Sequence, residues 1–235
     1  MDATNTEPLI SLSQLKFRYS SESNQAVLNI PSWQVSAKES VLLIGSSGSG
    51  KSTLLNMLSG ILTPDSGKVS VAGHSLEGLT NRQRDHFRAT QIGYVAQSFN
   101  LIPYLSAVEN IKLTNHLARK SSTNDDKLSI EPLLLELNIP KTQWQKPVSQ
   151  LSIGQQQRVA IARAIVNKPK LLIADEPTSA LDQENRDHFM SILMDTANTH
   201  DMTVVLVSHD LSLRQHFDRV DSMSDLNKIE GANKC

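Results

Sequence analysis

The chain has 235 residues, with 23 Lys and Arg against 24 Asp and Glu, for a formal net charge of −1. A hydrophobic content of 39% and a charged content of 20% exclude a disordered chain, and the neutral balance gives no general electrostatic ground for nucleic-acid binding. The single cysteine, Cys235, excludes an intrachain disulfide and a Cys-rich metal site, which fits a reducing cytosol.

Residues 1–8 read as a flexible tail, polar and acidic, without the basic and apolar regions of a signal peptide. The longest apolar runs, such as Val41–Ile44 and Val204–Val207, fall far short of the ~20 residues a spanning helix needs, so no direct membrane insertion is expected. Residues 9–44 hold short β-type runs, with Leu12, Leu15, Val27, Ile30, Trp33 and Val35 as apolar points. Val41–Ile44 is a continuous apolar run that stops at Gly45, the pattern of a strand buried on both faces. A helix is predicted from Lys51 to Ser59, with Leu54, Leu55, Met57 and Leu58 on its apolar side and Gly60 and Pro64 marking its end. From about Ser106 to Val166 the pattern is mostly helical, interrupted by the polar stretch Ser121–Asp126 and by Pro140 and Pro147. Leu171–Ala174 and Thr203–Val207 are again β-type, separated by a helix from about Gln183 to Asn198 with Phe189, Ile192, Leu193 and Ala197 at helical spacing. Strands alternating with helices predict an α/β fold with a mostly parallel sheet, and the helical middle predicts an inserted subdomain.

Between the apolar strand and the first helix, Gly45-Ser46-Ser47-Gly48-Ser49-Gly50-Lys51-Ser52 fits the phosphate-loop pattern G-x-x-x-x-G-K-[ST]. Small residues let consecutive backbone N–H groups curl around phosphate oxygens, and the helix N-terminus adds a favourable dipole. Lys51 is expected at the β- and γ-phosphates, Ser52 at Mg²⁺ and Thr53 at the α-phosphate. This loop alone implies nucleotide binding and leaves GTPase, kinase and ATPase open.

Further along, Leu151-Ser152-Ile153-Gly154-Gln155 opens a helical run, and Ser152 with Gln155 forms an S-x-x-Q capping box. The strand Leu171–Ala174 ends in two acids: Asp175, placed to hold Mg²⁺ through water, and Glu176, placed to polarise an attacking water. Ser179-Ala180-Leu181-Asp182 follows, and Val207-Ser208-His209-Asp210 comes after the next strand.

These elements, in this order, resemble the ATP-binding cassette (ABC) ATPases from about Leu9 to Val220. The resemblance implies one ABC ATPase domain over 9–235: a P-loop core with a mostly parallel sheet, an N-terminal antiparallel β subdomain and a helical subdomain at approximately 98–166. It implies that Tyr19 stacks on adenine, that Gln97 is the Q-loop glutamine near Mg²⁺ and the attacking water, and that Leu151–Gln155 is the signature. Glu176 becomes the catalytic carboxylate, His209 the switch histidine, and Ser152, Gly154, Gln155 and Asp182 nucleotide contacts. Read alone, Tyr19 is equally an edge-strand aromatic, Gln97 a solvated loop amide, Asp182 a helix N-cap and His209 a polar residue at a strand end.

The resemblance further implies a head-to-tail, ATP-dependent homodimer with two ATP molecules between subunits, and a separate integral membrane permease. That partner would hold the chain on the cytoplasmic face of the inner membrane. Gln97–Pro103 with Glu109-Asn110-Ile111, and Gly48–Leu55 continuing to Ser66-Gly67, look like the lipoprotein-release, macrolide-export and cell-division ATPases. Polar amino-acid importers share part of this pattern, and a non-transport regulatory ATPase is the other alternative. The apolar side chains Phe99, Leu101, Ile102, Pro103, Tyr104 and Leu105 are expected to be covered in part by the helical subdomain's own core and in part by a short permease helix. Three positions depart from the family: Ile153 stands where glycine is commonest, Ala96 replaces an aromatic, and Asp225–Ile229 replaces an Asp-Gly hairpin. Leu226 is poorly suited to the positive φ of such a turn, so an altered or absent terminal hairpin is expected.

Overall fold

The computed structural model describes residues 7–19, 26–118 and 126–229. Residues 1–6, most of the polar stretch before Asp126, and Cys235 lie outside them. The first elements are β1 (Ile10–Phe17), β2 (Leu28–Val35), β3 (Ser40–Ile44), α1 (Lys51–Leu58), β4 (Ser66–Val71), β5 (His74–Ser75) and α2 (Asn81–Gln91). Then come β6 (Ile92–Val95), α3 (Ala107–Ala118), α4 (Asp126–Glu136), α5 (Ile153–Ile165), β7 (Leu171–Asp175) and α6 (Gln183–Thr199). The chain closes with β8 (Thr203–Ser208), β9 (Arg219–Ser222) and the short α7 (Met223–Leu226). It divides into two compact units, one formed by residues up to Arg84 with those from Thr203 onward, the other by Asp85–Met202.

The first unit holds an antiparallel sheet in the order β2-β1-β4-β5. In β1 the buried side chains change parity, from Ile10 and Leu12 to Leu15 and Phe17. A strand can keep both pairs on one face only by inserting an irregularity. It lies between Ser13 and Lys16, where the register with β4 shifts and Gln14 takes φ 51°. β2 makes the same change, from Leu28 and Ile30 to Trp33 and Val35, around Pro31, which an edge strand tolerates.

The same unit holds β3 between β8 and β9, all parallel. Val41, Leu42 and Leu43 are fully buried, as their unbroken apolar run predicts. Ser40 and Asp218 clamp the start of this trio: Ser40 N–H and Oγ donate to Asp218 Oδ2 at 2.9 and 2.7 Å. α1 is buried more evenly than its predicted single apolar side, because Lys51 and Thr53 are covered along with Leu54, Leu55, Met57 and Leu58. Among the described residues β9 is followed by α7 rather than by a hairpin.

In the second unit β6 lies parallel to β7. α5 is the central rod, packed against α3, α4, α6 and β6. Its Val159, Ile161 and Ile165 join Ile111, Leu172, Ile173, Phe189 and Leu193 in the core. α3 starts with a reciprocal cap, Glu109 N–H donating to Ser106 Oγ at 3.2 Å and Ser106 N–H to Glu109 Oε2 at 2.8 Å. Those bonds hold the Glu109 carboxyl below its usual range.

Candidate nucleotide site

In open parallel α/β sheets, ligands bind beyond the C-terminal ends of the strands. In the first unit, Ile44 of β3 is in register with Ser208 of β8, so Gly45 and His209 leave neighbouring strand ends on the same side. The loop from Gly45 runs to Gly50, the N-cap of α1. Gly48 and Gly50 take φ of 78° and 97°. A Cβ on Gly50 would stand 2.9 Å from the Leu28 side chain and 3.1 Å from Val27 O, so both backbone and neighbours demand glycine here.

The Lys51 ammonium is buried and donates to Gly45 O at 2.7 Å and Ser46 O at 3.0 Å, which turns it back over its own loop. Ser49 Oγ is buried and has no hydrogen-bond partner among the described residues. An orphaned hydroxyl beside a lysine, in a glycine loop that caps a helix, fits a phosphate oxygen. Ser46, Ser47 and Ser52 are exposed on the same loop and first turn. Thr53 is buried, its Oγ1 3.0 Å from the Tyr19 hydroxyl. The Tyr19 ring packs edge-on to Phe17 at 5.1 Å and remains 65% exposed, leaving a face on which a flat base would stack. Sequence reading missed Asn227. Its Nδ2 donates to Ser49 O at 3.2 Å and Val27 O at 3.0 Å, bracing the loop from the C-terminal segment.

The second unit repeats the device. Val95 of β6 is in register with Ala174 of β7, so Gln97 and the Asp175-Glu176 pair emerge at the same end. Gln97 Nε2 donates to Ser179 Oγ at 3.0 Å, and Ser179 N–H donates to Glu176 O at 3.2 Å. Glu176 takes φ 45°, a left-handed conformation costing a side chain about 1 kcal/mol or more, the kind of strain functional sites retain. The Tyr94 hydroxyl, also missed from sequence, donates to Asp175 Oδ2 at 3.3 Å. Burial, then the charge of Asp175, pushes the Tyr94 pKa up, so the phenol stays a donor. Asp182 is the N-cap of α6, accepting from Asn185 N–H and Nδ2, each at 2.9 Å. The bond from the Asn185 amide, then that from its side chain, lowers the Asp182 pKa.

The capping box at α5 is present in full: Gln155 N–H donates to Ser152 Oγ at 3.3 Å and Ser152 N–H to Gln155 Oε1 at 3.1 Å. Ser152 is exposed and Ile153 is 63% exposed. A Cβ on Gly154 would meet only Gln157 Oε1 at 3.9 Å, so the first turn of α5 is open on that side, and a helix N-terminus favours an anion.

Among the described residues no group of three or more His, Cys, Asp or Glu side chains is arranged to hold a metal by itself. Ser52 in the first unit, and Gln97 and Asp175 in the second, each carry an oxygen of the kind Mg²⁺ accepts, an ion that takes few protein ligands and completes its shell with water and phosphate oxygens.

The family model for ABC transporters matches residues 28–179. The chain belongs to the ABC transporter family. An uncharacterized ABC transporter ATP-binding protein of Mycobacterium tuberculosis is 38% identical over 231 residues, 98% of this chain and 92% of the relative. YbbA of Escherichia coli, an uncharacterized ABC transporter ATP-binding protein, is 42% identical over 181 residues, 77% of this chain and 78% of its own length. The macrolide export ATP-binding/permease protein MacB of Pasteurella multocida is 37% identical over 222 residues, 93% of this chain but 33% of MacB. Among solved structures, the dimeric post-hydrolysis state of the MJ0796 cassette, bound to ADP and Pi, superposes with a TM-score of 0.79 at 31% identity. That match covers 91% of this chain and 93% of the other. This ABC chain is thus an ATP-binding subunit and an ABC-type ATP hydrolase, with the α/β cassette fold expected from its motifs. No described helix of this ABC subunit is long and apolar enough to cross a membrane.

Proposed function

We propose that this ABC subunit hydrolyses Mg-ATP as a head-to-tail dimer and drives a separate membrane permease in export or cell-envelope remodelling, from the cytoplasmic face. The observation that carries the ATPase roles is the repeated device: parallel strand ends deliver Gly45 and His209 in one unit, and Gln97 with Asp175-Glu176 in the other. The export assignment is supported by the likeness to MacB, whose name records macrolide export.

In this reading the N–H groups of Gly45–Gly50 and the Lys51 ammonium hold the phosphates, Thr53 reaches the α-phosphate and Tyr19 stacks on adenine. Ser52, Gln97 and Asp175 hold Mg²⁺, which when bound neutralises charge on the phosphates. Glu176 accepts the proton of the attacking water, and His209 steadies the γ-phosphate. Ser152, Gly154 and Gln155 present a helix N-terminus to the nucleotide of a second copy, with Asp182 alongside. Tyr104, 76% exposed, and the half-buried Leu101 and Ile102 offer the permease an apolar contact.

The test is ATP turnover by the purified chain, alone and co-expressed with a candidate membrane permease subunit. Glu176→Gln is expected to keep ATP binding and to lose about 10²–10⁴-fold in turnover. Lys51→Ala is expected to weaken binding itself. Near-normal turnover in Glu176→Gln removes Glu176 from its role, and a permease that neither binds nor stimulates the chain removes the transport assignment.

A further inference from the structure

The turn after Gln97 has an unusual backbone. Phe99 and Asn100 are consecutive non-glycine residues with φ of 57° and 49°. A phenylalanine disfavours this region, which an asparagine tolerates more readily, and a pair in sequence persists where the surroundings hold it. Local bonds contribute: Phe99 N–H donates to Ala96 O at 2.9 Å, Asn100 N–H to Ser98 O at 2.7 Å, and Ser98 Oγ to Asn100 Oδ1 at 2.8 Å. The left-handed pair also turns two successive carbonyls toward one group. Arg163 Nη1 donates to Asn100 O at 2.6 Å, and Nη2 donates to Phe99 O at 2.5 Å.

Arg163 comes from α5, the helix that begins at the Ser152 cap. Eleven residues of helix, about 16 Å, separate the two positions on one rod. Burial depresses the Arg163 pKa, a desolvation cost that the two carbonyl acceptors offset. On either side of the turn the loop is tied down elsewhere. Gln97 donates to Ser179, the Phe99 ring lies 6.3 Å from the buried Phe189, and Asn110 accepts from Ile102 N–H at 2.8 Å. Beyond the local bonds, the Arg163 fork grips both carbonyls of the turn between those ties, and a planar fork fixes direction as well as distance.

We propose that Arg163 is a positioning residue: by holding both carbonyls of the left-handed turn, it sets Gln97 relative to the helix that carries Ser152 and Gly154. Without the fork, Phe99 and Asn100 relax toward ordinary backbone regions and Gln97 loses its fixed approach to Ser179. ATP binding at Lys51 does not depend on this contact. The inference rests on the proposed role of Gln97 toward the metal and the attacking water.

The test uses the full chain with Arg163→Met and Arg163→Lys. Lysine keeps the charge but satisfies the two carbonyls without a rigid fork. The first reading is amide hydrogen exchange without nucleotide. Phe99 and Asn100 are expected to exchange about tenfold faster or more in Arg163→Met, and less so in Arg163→Lys, with Val159 and Ala160 unchanged. The second reading is steady-state hydrolysis, with kcat falling about tenfold and KM for ATP moving less than about twofold. The third is a double-mutant cycle. Because Arg163 acts through Gln97, Arg163→Met with Gln97→Ala is expected to be no slower than Gln97→Ala alone, within about twofold. Unchanged exchange at Phe99 and Asn100 overturns the clamp, and so do losses that multiply in the double variant. If Arg163→Met does not fold, Arg163→Lys decides by the same three readings. Full turnover in Gln97→Ala instead sinks the role of Gln97, which the exchange measurement does not involve.

Discussion

Gly67 and Gly73 have similar positive φ, 93° and 81°, yet they carry different burdens. A Cβ on Gly67 would stand 2.3 Å from Gln14 O, inside the irregularity that lets β1 change parity. A Cβ on Gly73 would meet nothing within 4 Å. Gly73→Ala is therefore expected to cost about 1 kcal/mol, the conformational part alone. Gly67→Ala is expected to cost that plus displacement of the Gln14 backbone, about 3 kcal/mol in total. Urea denaturation checks both, as a lower midpoint at unchanged slope. Equal losses would show that the β1 irregularity yields without cost. Glu176 bears the same backbone cost at the position proposed as catalytic, so glutamine, which keeps its shape, is the substitution that isolates its charge.

At the scale of elements, single polar side chains fix where strands and helices begin. Asp218 holds the start of β3 by accepting from the Ser40 hydroxyl and the Ser40 amide, and those bonds lower its pKa. A carboxylate whose folded pKa is depressed contributes stability above its unfolded value, near 3.9, and loses it as pH falls through the folded value. Asp218 is exposed, so the contribution is screened and is expected to be about 0.5–1 kcal/mol. Asp218→Asn should therefore be less stable than the natural chain at pH 6, and the difference should fade as pH drops below about 4. Unfolding curves at several pH values measure this; a difference independent of pH would place the effect in packing. The cap of α3 and the tie from Asn110 to Ile102 give Glu109-Asn110-Ile111 a structural reason: the first caps, the second staples the loop and the third fills the core.

For the whole molecule, the expectation is assembly driven by nucleotide. The solved MJ0796 cassette, similar to this chain, is dimeric, and the exposed Ser152 end of α5 is the surface proposed for a second copy's phosphates. The Glu176→Gln chain, expected to retain ATP, is expected to sediment as a dimer with ATP and as a monomer without it. Adding Ser152→Arg is expected to abolish the dimer, since a long side chain occupies the phosphate-facing helix end while Lys51 still binds ATP. Dimers that form without ATP, or that tolerate Ser152→Arg, would refute a shared site.

The amino-acid sequence by itself determined what depends on neighbours along the chain: the buried run of β3, the phosphate loop with its glycines, the capping box at Ser152, the cap at Asp182 and the helix after it. Each is specified within about one turn or one strand, where periodicity and side-chain chemistry act directly. The tertiary structure alone decided which distant groups meet. Arg163 reaches carbonyls 63 and 64 residues away, Gln97 finds Ser179 at a separation of 82, and Asn227 braces Ser49 across 178. Nothing in the local pattern of an arginine on a helix or an asparagine near a terminus names such a partner. Strand register and helix packing choose it, because a polar group taken from water must be satisfied by whatever the fold brings within hydrogen-bond reach.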